Sequence, residues 1–328
     1  MKRVLGIGNA LVDIITSIDD DNILKKFDLP KGSMQLVDTK KSEIIKAGTK
    51  QLRRVFTSGG SSANTIHGLA MLGLNAGFIG SAGNDDTGDF FETDMKNAGV
   101  NTILFRRSSV SGTSVVFISP DSERTMATHL GAATELNAAD LKKEFFNGYD
   151  ILYLEGYLIN NLSLVETACK MAKKSKMLVA LDLASYNVVE ANLQQFETIV
   201  RKFVDILFAN ELEAKVFTGL VLEKALALMS DSSEIAVLKV GYEGSWIKRG
   251  EEIIKISSLP VNCYDTTGAG DLYAAGFLYG FANDLNLEKC GLIGTIMAGK
   301  VIETTGSRMD KLKFKEIKKS IRKIISEN

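Results

Sequence analysis

The segment from Asp265 to Asp271, with the sequence Asp-Thr-Thr-Gly-Ala-Gly-Asp, combines small residues with a carboxylate at its end. Gly268 and Gly270 allow a tight backbone turn, and the following residues have the composition of a helix. Such a turn presents the N–H groups of a helix N-terminus to an anion. Asp271, in the first helical turn, is favoured as an anion and can accept a proton from a hydroxyl. These features predict phosphoryl transfer to an alcohol, although a capped helix without catalytic function would use the same residues.

Two glycine-containing stretches nearer the N-terminus could meet this loop, because open α/β folds bind ligands at the carboxyl ends of their strands. Residues 6–13 follow a predicted strand but lack the third small residue and the helix of a dinucleotide-binding motif. Asn9 and Asp13 could instead hydrogen-bond vicinal hydroxyls, or simply form turns. Residues 58–64 contain paired glycines before a helix, and Asn64 could point its amide at a ligand.

Two further stretches follow later strands. Asn210 and Glu213 lie three residues apart, and an amide with a carboxylate can order hydrated Mg²⁺ and its phosphate oxygens. The structural alternative is an N-cap with its capping-box glutamate, which has the same spacing. Residues 239–244 form a glycine turn that could border a nucleotide.

Composition limits the possible functions. The 328 residues are 45% hydrophobic, which suffices for a large core, and 39 basic against 40 acidic side chains give a formal net charge of −1. This balance argues against nucleic acid or an anionic membrane as a partner. Three scattered cysteines and the lack of a long apolar run predict a cytoplasmic protein without a membrane span. Two histidines are too few for a multi-histidine metal site.

Short apolar runs alternate with amphipathic segments, which predicts a mostly parallel sheet covered by helices on both faces. The predicted strands span 4–7, 76–79, 151–154, 178–181, 206–208 and 236–240. The predicted helices span 62–74, 87–98, 138–147, 161–175, 192–203, 211–218, 222–230, 269–282, 286–303 and 313–326.

Two parts of the chain break this alternation. The pattern predicts extended segments at residues 12–18 and 34–37. It also predicts a hairpin whose strands are residues 113–119 and 124–129, with a turn at 120–123. Without intervening helices, these strands predict a small separate sheet that covers the strand ends as a lid. We expect one domain over residues 1–328, with the lid formed by about 12–38 and 103–130.

In their order along the chain, these motifs resemble the ribokinase-like, or PfkB, family of carbohydrate and nucleoside kinases. The resemblance implies a three-layer α/β/α sandwich with a mostly parallel central sheet and a small inserted β-sheet lid. It also implies ATP-dependent phosphorylation of a hydroxymethyl group on a nucleoside or sugar, with Mg²⁺ as cofactor.

The resemblance assigns roles to particular residues. Asp271 would be the general base, and the backbone N–H groups of Gly268, Ala269, Gly270 and Asp271 would form an anion hole. The positions matching sugar-binding residues are Asn9, Asp13, Gly59, Gly60 and Asn64. The positions bordering ATP and its Mg²⁺ are Asn210, Glu213 (through water), Lys239, Gly241, Gly244, Thr266 and Ala298. A monovalent cation such as K⁺ would lie near Asp265, Thr267 and Gly306.

Several segments are most similar to adenosine kinase-like members of the family, namely residues 8–14, 34–36, 128–133 and 154–158. An apolar pocket could take a purine, with the wall formed by Met34, Leu36, Leu130 and Leu158. Alternatively, these four residues are lid core. Adenosine, giving AMP, is the favoured acceptor, a free sugar such as ribose or fructose is the alternative, and a catalytically silent sensor is a remote third possibility. The lid could also join two copies into a homodimer.

Overall fold

The computed structural model describes residues 1–121 and 123–326, so Ser122 of the expected turn at 120–123 lies outside the described residues. The strands in this part of the chain are β1 Val4–Ile7, β2 Leu11–Ser17, β3 Met34–Leu36, β4 Val55–Gly59, β5 Ala76–Gly83, β6 Asn101–Arg107, β7 Gly112–Ile118, β8 Arg124–His129, β9 Ile151–Glu155, β10 Leu178–Asp182, β11 Ile206–Asn210, β12 Ile235–Lys239, β13 Ser245–Arg249 and β14 Glu252–Ile256. The α-helices are α1 Asn22–Lys26, α2 Thr39–Gly48, α3 Ser61–Leu72, α4 Asp86–Asn97, α5 Leu162–Lys174, α6 Tyr186–Ala191, α7 Leu193–Phe203, α8 Glu211–Thr218, α9 Leu222–Ser232, α10 Ala269–Ala282, α11 Leu287–Val301 and α12 Lys311–Ser326.

The large sheet has the strand order β14-β13-β12-β11-β10-β9-β1-β5-β6. Its strands run parallel from β6 to β12, while β13 and β14 pair antiparallel at one edge. Side chains alternate between its faces, so Val4 packs in one apolar cluster with α3, α10 and α11, and Leu5 packs in a second with α5, α7 and α9. This arrangement confirms the expected three-layer sandwich with a mostly parallel central sheet.

The small sheet has the order β3-β8-β7-β2-β4. One of its faces packs on α1 and α2 through a third apolar cluster that includes Ile14, Phe27, Ile45 and Phe117. The expected lid includes residues 103–107, but these pair with β5 in the large sheet. Conversely, β4 belongs to the small sheet through its pairing with β2. The expected lid of residues 12–38 and 103–130 must therefore lose residues 103–107 and gain β4.

The predicted helices match the observed ones to within two residues at either end, with one exception. Residues 138–147 instead form two short 3₁₀ turns, Ala138–Asp140 and Lys143–Phe146. Leu141 and Phe146 are both buried in the same apolar cluster. Five residues apart, they would point about 140° from each other on a regular helix, so one helical face could not bury both. The helix prediction for this segment is therefore wrong.

The observed helices have one further common property. Within the described residues, none is both long enough and apolar enough to cross a bilayer.

Candidate active site

A cavity of about 940 Å³ lies between the carboxyl ends of the parallel strands and the small sheet. Loops that leave β1, β9, β10, β11 and β12 supply part of its wall, and β2, β3 and β8 supply the opposite side. The position agrees with the general location of ligands in open α/β sheets. Most predicted site residues line this cavity: Asn9, Asp13, Met34, Leu36, Gly60, Asn64, Leu130, Leu158, Asn210, Glu213, Lys239, Gly241, Thr266, Thr267, Gly268, Ala269, Gly270 and Asp271.

The loop before α10 presents backbone donors to the cavity. Gly268 is the N-cap of α10 and has a φ of +73°, a conformation that favours glycine. Among the described residues, no protein acceptor receives the N–H groups of Gly268, Gly270 and Asp271. The Ala269 N–H donates to the Thr266 carbonyl at 3.2 Å, so Ala269 does not supply the donor expected of it. The remaining three N–H groups form a helix N-terminus able to receive an anion.

The Asp271 carboxylate is held by side chains from α3. Ser61 donates to Oδ1 at 2.7 Å, and the Asn64 amide donates to Oδ2 at 2.8 Å. Burial raises the pKa of Asp271 to about 6, against the opposing effect of these two hydrogen bonds. The carboxylate therefore remains mostly ionised at neutral pH and can accept a proton.

The cavity has a second carboxylate near Asp271, that of the buried Asp13 on β2. Burial raises the pKa of Asp13 to about 6, although the charges of Arg308 and Arg124 oppose this rise. Gly59, on the neighbouring β4, leaves room for it, since a Cβ at this position would lie 2.5 Å from the Asp13 carboxylate oxygens. Gly59 thus makes space for the Asp13 side chain but does not itself line the cavity.

Glu155, at the end of β9, connects two of the predicted turns. Its Oε1 accepts the backbone and side-chain N–H groups of Asn9, at 2.9 and 2.5 Å, and its Oε2 accepts the Ser62 N–H at 2.6 Å. Burial raises the pKa of Glu155 to about 7, although the same hydrogen bonds lower it. Gly60 completes the junction, because a Cβ there would lie 2.1 Å from the Asn9 carbonyl oxygen.

Asn210 and Glu213 form the capping box that was the structural alternative for this pair. Glu213 accepts the backbone N–H of Asn210 at 2.8 Å and its side-chain N–H at 2.7 Å, and Asn210 Oδ1 accepts the Glu213 N–H at 2.9 Å. Burial raises the pKa of Glu213 to about 7, with Lys239 acting in the opposite direction. Both carboxylate oxygens carry a hydrogen bond but keep a free lone pair. This donor set suits contact with a hydrated divalent ion through water.

Lys239 brings a positive charge to the anion-binding loop. Its Nζ donates to Asp182 Oδ2 at 2.7 Å and lies 3.2 Å from where a Cβ of Gly270 would be. Burial lowers the pKa of Lys239, but the charges of Asp182 and Glu213 outweigh burial and the pKa is raised. Lys239 is therefore a fixed cation beside the N-terminus of α10.

Asp265, an expected ligand of a monovalent cation, is engaged by several protein donors. Its Oδ1 accepts both the backbone N–H and the hydroxyl of Thr267 and lies 3.0 Å from the Arg124 Nε, while its Oδ2 accepts the Gly306 N–H at 2.7 Å. Oδ1 therefore has three protein donors, one of which is charged, and Oδ2 has one. The expected cation ligands Asp265, Thr267 and Gly306 thus lie together, with the Arg124 guanidinium beside them.

Two predicted nucleotide positions lie outside the cavity wall. Gly244 ends a 3₁₀ turn between β12 and β13, where a Cβ would lie 1.9 Å from the Ile256 carbonyl oxygen. Ala298 lies within α11 and packs against the apolar cluster shared with α10. Neither residue contributes to the cavity surface.

A model of the pfkB family carbohydrate kinases matches residues 33–313. The chain belongs to the PfkB kinase family. Two solved structures match this chain with a TM-score of 0.89, and each match covers 98% of this chain and 99% of the matched chain. One is a probable sugar kinase from Rhizobium etli, which is 31% identical in sequence, and the other is an adenosine kinase from Sinorhizobium meliloti, which is 32% identical. An uncharacterized sugar kinase from Archaeoglobus fulgidus is 28% identical over 74% of this chain and 96% of its own.

Membership makes the protein a phosphotransferase that acts on an alcohol group of a sugar or nucleoside, using ATP and a divalent metal. In this PfkB kinase, the cavity therefore contains the expected chemical groups: backbone donors for an anion, an ionisable carboxylate beside them, and a lysine.

Several side chains in or beside the cavity of this PfkB kinase carry no motif of their own in the sequence. Ser61 donates to Asp271, and Ser307 donates to Asn64 beside it. Asp182 accepts a hydrogen bond from Lys239. The charges of Arg124 and Arg308 act on Asp13. Asp182 and Glu155 each lie at the carboxyl end of a predicted parallel strand. This position could have identified them as site residues, because such strand ends converge at the ligand site. The other contacts join distant segments and leave no local pattern.

Proposed function

We propose that this PfkB kinase transfers the γ-phosphoryl group of ATP to a hydroxymethyl group of a nucleoside, with adenosine as the favoured acceptor and AMP as the product. One observation carries the proposal: Asp271, held by Ser61 and Asn64, lies next to the unpaired N–H groups of the α10 N-terminus inside a cavity that also has an apolar wall. A base, an anion site and an acceptor pocket thus share one space.

Asp271 is the proposed general base. Its carboxylate takes the proton of the acceptor hydroxyl while that oxygen bonds to the γ-phosphorus, and the bond from the γ-phosphorus to the β,γ-bridging oxygen breaks to release ADP. The N–H groups of Gly268, Gly270 and Asp271 stabilise the negative charge on the oxygens of the transferred phosphoryl group. Stabilising this charge is the main requirement of phosphoryl transfer. The positive charge of Lys239, which pairs with Asp182, adds to this stabilisation.

The acceptor is proposed to bind with its hydroxyls on Asp13, Asn9 and Asn64. These side chains line the cavity near Asp271, and a carboxylate with two amides can bind vicinal hydroxyls. Asp13 and Asp271 would repel an anionic acceptor such as a sugar acid or a phosphosugar, and the nearby cations Arg124 and Lys239 already pair with Asp265 and Asp182. The acceptor is therefore expected to be neutral.

An apolar region adjoins these polar groups and is proposed to hold the purine. Its side chains come from the small sheet and from the segments after β8 and β9: Leu11, Met34, Leu36, Met126, Leu130, Leu136 and Leu158. Apolar surface of this kind favours a flat base over water. Tyr157 and Val188 extend the same wall.

ATP and Mg²⁺ are the proposed cofactors. Glu213 and Asn210 would hold the hydrated ion through water, and Gly241 and Thr266 would border the nucleotide beside Lys239. The bound ion would neutralise phosphate charge. The chain's own contribution is to fix the donors at the α10 N-terminus and the acceptor hydroxyl against Asp271.

Phosphorylation of a free sugar is the second candidate. Among the cavity-lining residues, the wall near Asp13 has no pair of aromatic rings between which a purine could stack, and Leu36 is 64% exposed. Two of the similar proteins are also described as sugar kinases.

The deciding experiment measures ADP release with ATP and Mg²⁺ over adenosine, other nucleosides, ribose, fructose and gluconate. We expect kcat/KM for adenosine to exceed that for any free sugar by at least about tenfold, because a sugar lacks the apolar contacts of the base. A preference for a free sugar would overturn adenosine as acceptor. Binding of adenosine without ADP release would instead support a sensor, and Asp271→Asn controls for contaminating kinases.

A further inference from the structure

Asp265 is a buried carboxylate at the start of the anion-binding loop, with 1% of its side chain exposed. It receives the Thr267 N–H at 2.8 Å and the Gly306 N–H at 2.7 Å, as well as the Thr267 hydroxyl. Hydrogen bonds from neutral groups lower the cost of burying a carboxylate but do not balance its charge. A cation close by would therefore stabilise the charge of Asp265.

Arg124 supplies that cation from another part of the molecule. It lies on β8 of the small sheet, and its Nε is 3.0 Å from Asp265 Oδ1. A planar guanidinium is well suited to a buried ion pair with a carboxylate. Arg124 also lies close enough to Asp13 for its charge to act on that carboxylate, which places it between the loop and the acceptor end of the cavity.

We propose that Arg124 takes the place of a monovalent cation beside the anion hole, so that this kinase does not require K⁺. A potassium ion bound to Asp265 would have to share Oδ1 with three protein donors, or Oδ2 with the Gly306 N–H. It would also stand next to the guanidinium, and like charges at such a distance repel. The proposal rests on the proposed function for its rate measurements.

The first test uses the wild-type protein in KCl, NaCl and choline chloride at equal ionic strength. We expect ADP-release rates within about twofold of one another, because screening is equal at matched ionic strength. The melting temperature should likewise be the same in the three salts. A rate or melting temperature that rises with K⁺ but not with choline would overturn the proposal.

The second test changes the charge at position 124. Arg124→Gln leaves Asp265 without a cation, so K⁺ should now raise both the melting temperature and the rate, the latter by at least about fivefold over choline, since a bound ion stabilises the folded state that holds it. Arg124→Lys keeps the charge and should stay insensitive to the salt. A folded Arg124→Gln protein that ignores K⁺ would contradict the role given to Arg124, as would K⁺ activation of Arg124→Lys.

Arg249→Gln is the matched control. Arg249 also pairs with an acidic residue, Glu234, but at the exposed end of β13 and outside the cavity wall. Its loss should leave all three salts equivalent. The melting measurements need no acceptor, so they test the cation proposal even if none of the acceptors is phosphorylated, an outcome that would count only against the proposed function.

Discussion

Asn64 holds the Asp271 carboxylate in one orientation because both ends of its own amide are engaged. Its Nδ2 donates to Asp271 Oδ2 at 2.8 Å, and its Oδ1 accepts the Ser307 hydroxyl at 3.0 Å. A reversed amide would turn its oxygen towards the carboxylate, which cannot donate to it, and the contact with Asp271 would be lost. Ser307, in the loop after α11, anchors the other end of the amide whose Nδ2 faces the proposed base.

Asp271→Asn should lower kcat by at least about a hundredfold, because an amide cannot accept the acceptor's proton. The substitution preserves size, so the melting temperature and ATP affinity should stay close to those of the wild type. Steady-state kinetics, thermal melting and calorimetric titration with ATP check the three quantities. Asp284→Asn, at an exposed carboxylate beyond the end of α10, is the control, and near-wild-type turnover of Asp271→Asn would remove it from the base role.

Ser307→Ala should lower kcat about fivefold, which corresponds to the loss of one hydrogen bond of about 1 kcal/mol. The freed Asn64 amide would hold Asp271 less well, and since the Asn64 hydrogen bond lowers the pKa of Asp271, the acid limb of the pH–rate profile should move to higher pH. Kinetics between pH 5 and 8 test both effects, with the range chosen around the pKa values.

Ser320→Ala serves as the control for Ser307→Ala. Its hydroxyl donates only to the Glu316 carbonyl on the exposed side of α12, so neither kcat nor the pH profile should change. A Ser307→Ala enzyme with the wild-type pH profile would mean that Asn64 keeps its orientation without Ser307.

The acid limb of kcat/KM should be steeper than one ionisation allows. Burial raises the pKa values of both Asp271 and Asp13 to about 6. Asp271 must be ionised to accept a proton, and an ionised Asp13 binds the acceptor hydroxyls more strongly than a neutral carboxyl group does. Protonation as pH falls through about 6 therefore removes two required charges, and log kcat/KM should approach a slope of 2.

Asp13→Asn tests the assignment of the second ionisation. With one required carboxylate left, the limiting slope should fall to 1, while KM for the acceptor rises. A slope of 1 in the wild type would show that only one of the two carboxylates governs the reaction.

Gly60→Ala should destabilise the fold and raise KM for the acceptor. Gly60 has a φ of +97° and its Cβ would lie 2.1 Å from the Asn9 carbonyl oxygen, so the substitution would displace the Asn9 turn. Gly73→Ala is a close control, because its φ is +100° but its Cβ would meet nothing within 4 Å. We expect about 1 kcal/mol of lost stability for Gly73→Ala from its φ alone, and a larger loss for Gly60→Ala, measured by urea unfolding. Equal losses would contradict the contact with Asn9.

Local sequence patterns predicted many of the helices and most of the large-sheet strands, because helix starts and apolar periodicity are encoded over short distances. The helix over 269–282 has the predicted bounds. Strands β4 and β6 were harder to predict, since most of their residues are only half-buried or exposed and show no clear alternation. The turns at 138–147 depended on burying Leu141 and Phe146 together, which no local pattern specifies.

The sequence by itself determined the loop that presents N–H groups before α10, the glycines that allow it, and the carboxylate of Asp271, because these depend on backbone geometry over a few consecutive residues. Only the tertiary structure decided what these groups contact. The Asp271 carboxylate accepts hydrogen bonds from Ser61 and Asn64 of α3, and the Asp265 carboxylate pairs with Arg124 of the small sheet. Side-chain partners far apart in the chain are selected when whole layers pack and each buried charge must find a counter-charge or a donor.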